Sequence, residues 1–292
     1  MSAAQPGGLP VQPGGLPVDW GSGGVEPPLP VDDLARALYR ARRDRVPVPP
    51  LTEARPEMTA AEAYAVQRRL VELLQADGEG DIVGYKLGLT SRAMQEQLGI
   101  DQPDYGPVLA GGVHPDGVEV DLGRLIQPKV EAEIAIVLDA PLAGPHCTAL
   151  DVRRAAAGAV AAVELIDSRV ADWRIRLADT IADLASSAAI ALSSRLVPLD
   201  RLDPRLAGVA MTRNGELVAT GAGAAALGDP LHAVAWLANT LHPLGVTLDA
   251  GHVVMTGALH AAVPLAAGDV FRAEFDWLGP VGLVVAGERQ QG

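Results

Sequence analysis

The sequence predicts an α+β fold, a mixed β-sheet roll preceded by a small helical segment. Three observations carry this. From residue 81 onward, short strand-like runs follow one another at close spacing with few helices between them, which favours a mixed roll over a doubly wound sheet. Asn214-Gly215 separates two of these runs as a hairpin signal. Before residue 80 the apolar residues recur at helical spacing instead.

Residues 1–29 contain Gln-Pro-Gly-Gly-Leu-Pro-Val twice, at 5–11 and 12–18, and then a further Gly/Pro-rich run. With so little to bury, this stretch cannot offset its ordering entropy and is expected to be a disordered tail. Residues 30–80 are expected to form a helical cap. Leu34, Leu38 and Tyr39 share a face of a first helix, and a Pro-rich connector follows at 47–56. A second helix opens at Thr59, where Thr59-Ala-Ala-Glu62 is a capping-box pattern, and turns Ala63, Val66, Leu70, Leu73 and Leu74 inward. Residues 81–292 are expected to form the roll. Its strands are expected at 82–89, 117–122, 129–138, 160–167, 208–213, 216–220, 252–256, 269–275 and 281–286. Helical interludes are expected at 151–158, near 175–192 and at 230–242, the last opened by Asp229-Pro230.

Composition narrows the function classes. A net charge of −13 repels phosphate backbones and 3% aromatic residues leave few stacking platforms, so nucleic acid is excluded as a partner. The single cysteine, Cys147, rules out an intrachain disulfide. No stretch has the uninterrupted apolar length of a membrane span and the N-terminus lacks the order of a secretory signal, so a soluble, cytoplasmic protein is expected.

The chemistry is concentrated in a few acidic and basic residues placed among apolar ones. In the run 127–138, alternate residues of a strand share a face, so Glu131 and Glu133 point the same way, between Val130, Ile134 and Val137. A buried carboxylate without compensation costs several kcal/mol or becomes protonated. A hard divalent cation held by both, with Glu164 in Ala-Val-Glu-Leu-Ile-Asp167 as third oxygen ligand, resolves the conflict. The competing reading puts the pair on the wet face of an amphipathic strand. Lys86, in Gly84-Tyr-Lys-Leu-Gly88, either snorkels to an edge or is buried as a proton carrier. Asp104, in Asp101-Gln-Pro-Asp-Tyr-Gly106, forms an Asx-turn or serves as an acid or base at the pocket lip.

Other motifs lose support. Gly221-Ala-Gly-Ala-Ala-Ala226 mimics a dinucleotide fingerprint, but Gly228-Asp-Pro230 interrupts it and no acidic residue follows at the required distance. The six histidines show no paired metal-ligand spacing and no nucleophile elbow accompanies them. Only His260, in the turn after Thr256-Gly-Ala-Leu, draws suspicion of a functional role, beside the commoner reading of a solvated loop histidine.

Taken in order, Gly84-Tyr-Lys-Leu-Gly-Leu-Thr-Ser91, Pro103-Asp-Tyr-Gly106, Val130-Glu-Ala-Glu-Ile134, Glu164-Leu-Ile-Asp-Ser-Arg169 with Asp172-Trp173, Ala185-Ser-Ser187, Ala219-Thr-Gly-Ala-Gly-Ala224 and Gly257-Ala-Leu with Ala262-Val-Pro264 form a specific set. Over roughly residues 31–288 the chain resembles the 2-keto-4-pentenoate hydratase and 4-oxalocrotonate decarboxylase family of the fumarylacetoacetate hydrolase superfamily. That resemblance implies a mixed β-roll like the superfamily's C-terminal domain and a homo-oligomer, with complex formation with a pathway enzyme a further option. It implies Glu131, Glu133 and Glu164 as ligands of Mg²⁺ or Mn²⁺, Lys86 and Asp104 as acid/base groups, and Ser186, Ser187 and Thr256 near the substrate. Two positions depart from the family pattern. Leu184 stands where an asparagine is frequent, and Thr256, followed by His260, where a serine is frequent.

The expected activity is hydration of a 2-hydroxy-2,4-dienoate to a 4-hydroxy-2-oxo acid, as in catabolism of aromatic compounds by meta cleavage. Decarboxylation of 4-oxalocrotonate and C–C hydrolysis of an acylpyruvate use the same metal chelation and stay as alternatives. A non-catalytic partner subunit of the same fold is the alternative outside enzymes.

Overall fold

The computed structural model describes residues 30–92, 95, 96, 100 and 102–287; the tail expected at 1–29 lies outside the described residues. The chain begins with three helices, α1 (Val31–Asp44), α2 (Leu51–Ala54) and α3 (Ala60–Ala76). α1 places Asp32 and Asp33 in its first turn and Arg42 and Arg43 in its last, complementing the helix dipole. The box expected at Thr59 is present: its side chain accepts from the Glu62 amide and Glu62 accepts from the Thr59 amide at 2.9 Å. Such a cap contributes about 1 kcal/mol. Within the Pro-rich connector at 47–56 lies the short α2.

The strands are β1 (Ile82–Gly88), β2 (Asp104–Leu109), β3 (Val113–Pro115), β4 (Val118–Val120), β5 (Lys129–Leu138), β6 (Ala156–Ile166), β7 (Ser187–Leu192), β8 (Gly208–Arg213), β9 (Glu216–Ala222), β10 (Val253–Ala258), β11 (Val263–Pro264), β12 (Val270–Phe275) and β13 (Gly279–Val285). The remaining helices are α4 (Ala149–Ala155), α5 (Leu177–Ala182) and α6 (Pro230–Leu241). One sheet has the order β2-β1-β10-β5-β6-β7-β3, with β11 added to β5, and the other β4-β13-β12-β8-β9. Both mix parallel and antiparallel pairs: β1 runs parallel to β10 and β4 to β13, while β5 is antiparallel to β6 and β10. This is the expected α+β roll. Asn214-Gly215 closes the β8–β9 hairpin, both residues at positive φ as that turn requires.

Two sequence expectations fail locally. Asp104 does not sit in a turn but opens β2, because residues 104–109 pair along β1 from Gly88 to Ile82. The helix expected across 175–192 stops at Ala182. Leu184, Ala185 and Ser186 then take φ values of 59°, 51° and 58°, and β7 follows at once. Alanine-rich sequence has helical propensity, but Ser187–Leu192 gains more by completing the sheet edge between β6 and β3.

The larger core lies between the two sheets and α6, around Ile134, Ile136, Phe271, Val281 and Leu237. A second core joins the N-terminal helices to α5 and the left-handed turn, through Leu34, Leu38, Leu70, Ile181 and Leu184. Gln67 ties this layer down, its Nε2 donating to Tyr105 O at 2.8 Å and Ile181 O at 2.7 Å. The cap therefore covers the segments that present the polar residues described next.

Candidate metal centre and active site

β5 sends Glu131 and Glu133 to one face, and its antiparallel register with β6 sets Glu131 directly opposite Glu164. Like charges in that position repel and destabilise a sheet. One carboxylate oxygen from each of Glu131, Glu133 and Glu164 lies within 4.8 Å of the others. Glu133 and Glu164 are 0% exposed and Glu131 is half-buried, so the pair does not lie together on a wet face. Where β10 pairs with β5 the register shifts between Met255 and Ala258. The bulge aims the Gly257 amide at Glu133 Oε2, 2.9 Å away. Gly257 has φ +110°, and a Cβ there would come within 2.0 Å of Thr90 Oγ1, so both backbone and space demand glycine.

Lys86 and Asp104 complete the cluster. In the β1–β2 pairing Gly88 is opposite Asp104 and Gly106 opposite Lys86. A Cβ on Gly88 would lie 2.2 Å from Asp104 Oδ1 and 3.5 Å from Lys86 Nζ, so that glycine keeps the space between acid and amine open. Lys86 is 3% exposed and does not snorkel. Its ammonium donates to Ala185 O at 2.8 Å and stands 3.3 Å from Glu164 Oε2. Asp104 Oδ2 accepts from Thr180 Oγ1 at 3.0 Å.

The three hydroxyls expected near the substrate differ. Ser186 Oγ is buried without a partner; the Ser187 side chain interacts with Glu164; and Thr256 Oγ1 donates to Ile134 O at 2.8 Å, bracing β10 against β5. His260 is not merely solvated: its Nε2 accepts the Ala132 amide at 3.1 Å, replacing the ladder partner that the β10 bulge removes.

Burial pushes the Glu131 carboxyl up to about 7, with Glu164 adding repulsion and Lys86 opposing both. Glu133 is raised well above the ordinary carboxylate range, by burial first and by Glu164 next. Glu164 and Asp104 are also raised by burial, each partly relieved by Lys86. Burial draws the Lys86 ammonium down, but Glu164, Asp104, Glu131 and Glu133 outweigh it and hold the amine protonated. Among the described residues, the buried side-chain oxygens without a hydrogen bond are Asp104 Oδ1, Glu133 Oε1, both oxygens of Glu164 and Ser186 Oγ. All belong to this cluster. Oxygen donors of this kind, with lone pairs left over, fit a hard divalent cation.

Sequence reading did not single out the residues that hold these groups. Thr180 steadies Asp104, and Arg169 fixes the turn that carries Ala185 and Ser186. Arg169 donates to Asp183 Oδ1 at 2.5 Å and Ser187 O at 3.0 Å, and also to the carbonyls of Asp167 and Asp183. Arg169 ends the motif at 164–169 already noted, but only the fold reveals what it and Thr180 touch.

The fumarylacetoacetate (FAA) hydrolase C-terminal family model matches residues 109–286. The chain belongs to this family. It is 44% identical over 251 residues to a 2-keto-4-pentenoate hydratase of Paraburkholderia phymatum, covering 86% of this chain and 95% of that protein. It is 38% identical to a 2-hydroxyhexa-2,4-dienoate hydratase of Comamonas testosteroni, covering 85% and 95%. Among solved structures, it is similar to 4-oxalocrotonate decarboxylase from Pseudomonas putida G7, complexed with magnesium and adipate. That match has a TM-score of 0.84 and 42% identity, and covers 87% of this chain and 97% of the other. The resemblance drawn from the motifs is borne out.

Proposed function

We propose that this protein is a divalent-metal-dependent hydro-lyase that adds water to a 2-hydroxy-2,4-dienoate and releases a 4-hydroxy-2-oxo acid. The observation that carries the reading is the convergence of three glutamates, two of them fully buried, beside the Lys86 ammonium, with oxygens of Glu133, Glu164 and Asp104 left without a hydrogen bond. Glu131, Glu133 and Glu164 would hold Mg²⁺ or Mn²⁺, in keeping with the magnesium of the similar decarboxylase structure. Such a cation, when bound, would supply a Lewis acid that stabilises negative charge developing at the substrate's 2-oxo group.

The rest falls to side chains. For 2-hydroxypenta-2,4-dienoate, delivery of a proton to C5 gives the enone, and water then adds at C4, yielding 4-hydroxy-2-oxopentanoate. Lys86 and Asp104 are the proton carriers. Lys86 Nζ is held charged by the surrounding carboxylates, and Asp104, raised by burial, holds a proton more readily than an exposed carboxyl. Ser186 Oγ, buried and unpartnered, offers a hydrogen bond to bound substrate. The cap excludes water from the cluster through Leu184 and its neighbours.

Decarboxylation of 4-oxalocrotonate is the second reading, favoured by the 42% identity to a decarboxylase, which nearly equals that to hydratases. The substrate is a small 2-oxo or 2-hydroxydienoic acid on either reading. No helix among the described residues is long and apolar enough to cross a membrane. We place the protein in the cytoplasm, as a homo-oligomer built of a cap at 30–80 and a catalytic roll from residue 81. An ultraviolet assay of 2-hydroxypenta-2,4-dienoate and 4-oxalocrotonate with added Mg²⁺, with products identified, tests the proposal. Release of CO₂ without hydration would transfer the protein to the decarboxylase reading.

A further inference from the structure

The chain uses 21 arginines and only two lysines. Where arginine serves almost every cationic position, the remaining lysines mark places that need a compact ammonium in place of a broad guanidinium fork. One is Lys86. The other is Lys129, the first residue of β5, two positions before Glu131 and four before Glu133 and so on the same strand face.

Lys129 is half-buried, and its Nζ lies 4.1 Å from the centroid of the Trp173 ring. It forms no ion pair among the described residues. A π face holds an ammonium less tightly than a carboxylate does, so the charge stays available to an anion. Trp173 is fixed from two sides. Its Nε1 donates to Gln127 O at 3.1 Å, and Asp172 and Trp173 have φ of 59° and 54°, left-handed values that non-glycine residues keep only where the surroundings impose them. Lys129 and Trp173 border, with Gln127, Pro128 and Pro264, an open groove of about 490 Å³.

Charge balance gives this ammonium a purpose. The three glutamates, one divalent cation and Lys86 sum to neutrality and Asp104 adds no positive charge, so an anionic substrate, approaching a chain of net charge −13, meets no surplus positive charge at the cluster itself. We propose that Lys129, backed by the Trp173 ring, forms a carboxylate-binding subsite beside the glutamate cluster that captures the carboxylate of the incoming 2-oxo acid. This rests on the 2-oxo-acid reading above.

The test uses the full chain saturated with Mg²⁺, pyruvate as the binding probe, and Lys129→Met and Lys129→Gln beside Lys129→Arg. Calorimetry should find pyruvate bound about tenfold more weakly, or worse, by both neutral variants, with Lys129→Arg restoring part of the loss. With 2-hydroxypenta-2,4-dienoate, KM should rise by a similar factor and much more than kcat falls, and kcat/KM should lose most of its salt dependence. Mg²⁺ affinity should stay within about twofold. Unchanged pyruvate affinity and KM in whichever neutral variant folds and binds Mg²⁺ would overturn the subsite, as would a fall confined to kcat. If the wild type does not hydrate the dienoate while the neutral variants lose pyruvate affinity, the hydratase reading fails and the subsite stands; hydration with undiminished pyruvate affinity in the variants sinks the subsite alone.

Discussion

Two buried charge clusters sit side by side in this molecule and are built on opposite plans. Around Arg169, a guanidinium with 1% exposure meets Asp183, and the carbonyls of Asp167, Asp183 and Ser187 take its remaining donors. Asp183 also accepts the Arg169 amide at 2.9 Å, and Asp167 accepts the amides of Ile126 and Gln127. Around Glu164, three glutamates and Asp104 share one ammonium, and several oxygens keep unused lone pairs. Burial costs are similar in the two places, so the difference lies in what completes each cluster. The arginine network is closed by the chain itself, whereas the glutamate cluster keeps oxygens that a bound cation could complete. The first holds the left-handed turn in place, and the second uses what that turn presents.

The comparison can be broken most sharply at Glu133. Glu133→Gln removes a charge with little change of volume, so turnover should fall by a factor on the order of 10³ while the chelated protein melts no lower than wild type. Wild-type turnover at saturating Mg²⁺ would mean that the cluster needs nothing from outside. Lys86→Met should lower turnover by about 10² or more and leave Mg²⁺ bound. Lost metal would make Lys86 a structural prop, and undiminished kinetics would remove it from the mechanism.

On the other side, Asp183→Asn leaves Arg169 buried beside an amide. It should cost about 3–5 kcal/mol in urea unfolding, with activity following the loss of the turn. A loss below about 1 kcal/mol would show that the carbonyls alone satisfy the guanidinium.

Acidity sharpens the contrast further. Glu131 is raised in the fold from 4.5 to about 7, so without a cation its contribution is most favourable below the ordinary value and is lost as pH climbs through 7. The melting temperature in chelator should therefore fall from about pH 5 to about pH 8, while the rise produced by Mg²⁺ widens over that interval. A Mg²⁺ increment that shrinks with rising pH would contradict the assignment of the triad. The smallest effect is expected from deleting residues 1–28, which the sequence gives no core-forming face; a melting temperature lowered by several degrees would show that they dock.

By itself the sequence determined the roll, the N-terminal helical segment and the shared face of Glu131 and Glu133. These follow from local rules: period-two and period-3.6 patterning, the capping box at Thr59 and the turn residues Asn214-Gly215, each readable within a few positions. It also held the motifs of Lys86, Asp104 and Glu164, yet could not choose between a snorkelling and a buried lysine, or between a turn and a catalytic aspartate. Only the tertiary structure decided the burial of Lys86 and the strand position of Asp104. Lys86 is buried because the turn at Ala185 supplies its hydrogen bond from 99 residues away, and Asp104 is a strand residue because β1 takes it as partner. The strand at 187–192 overrides its helical composition because two neighbours offer it a ladder. Such outcomes depend on contacts between distant segments, and no local pattern encodes them.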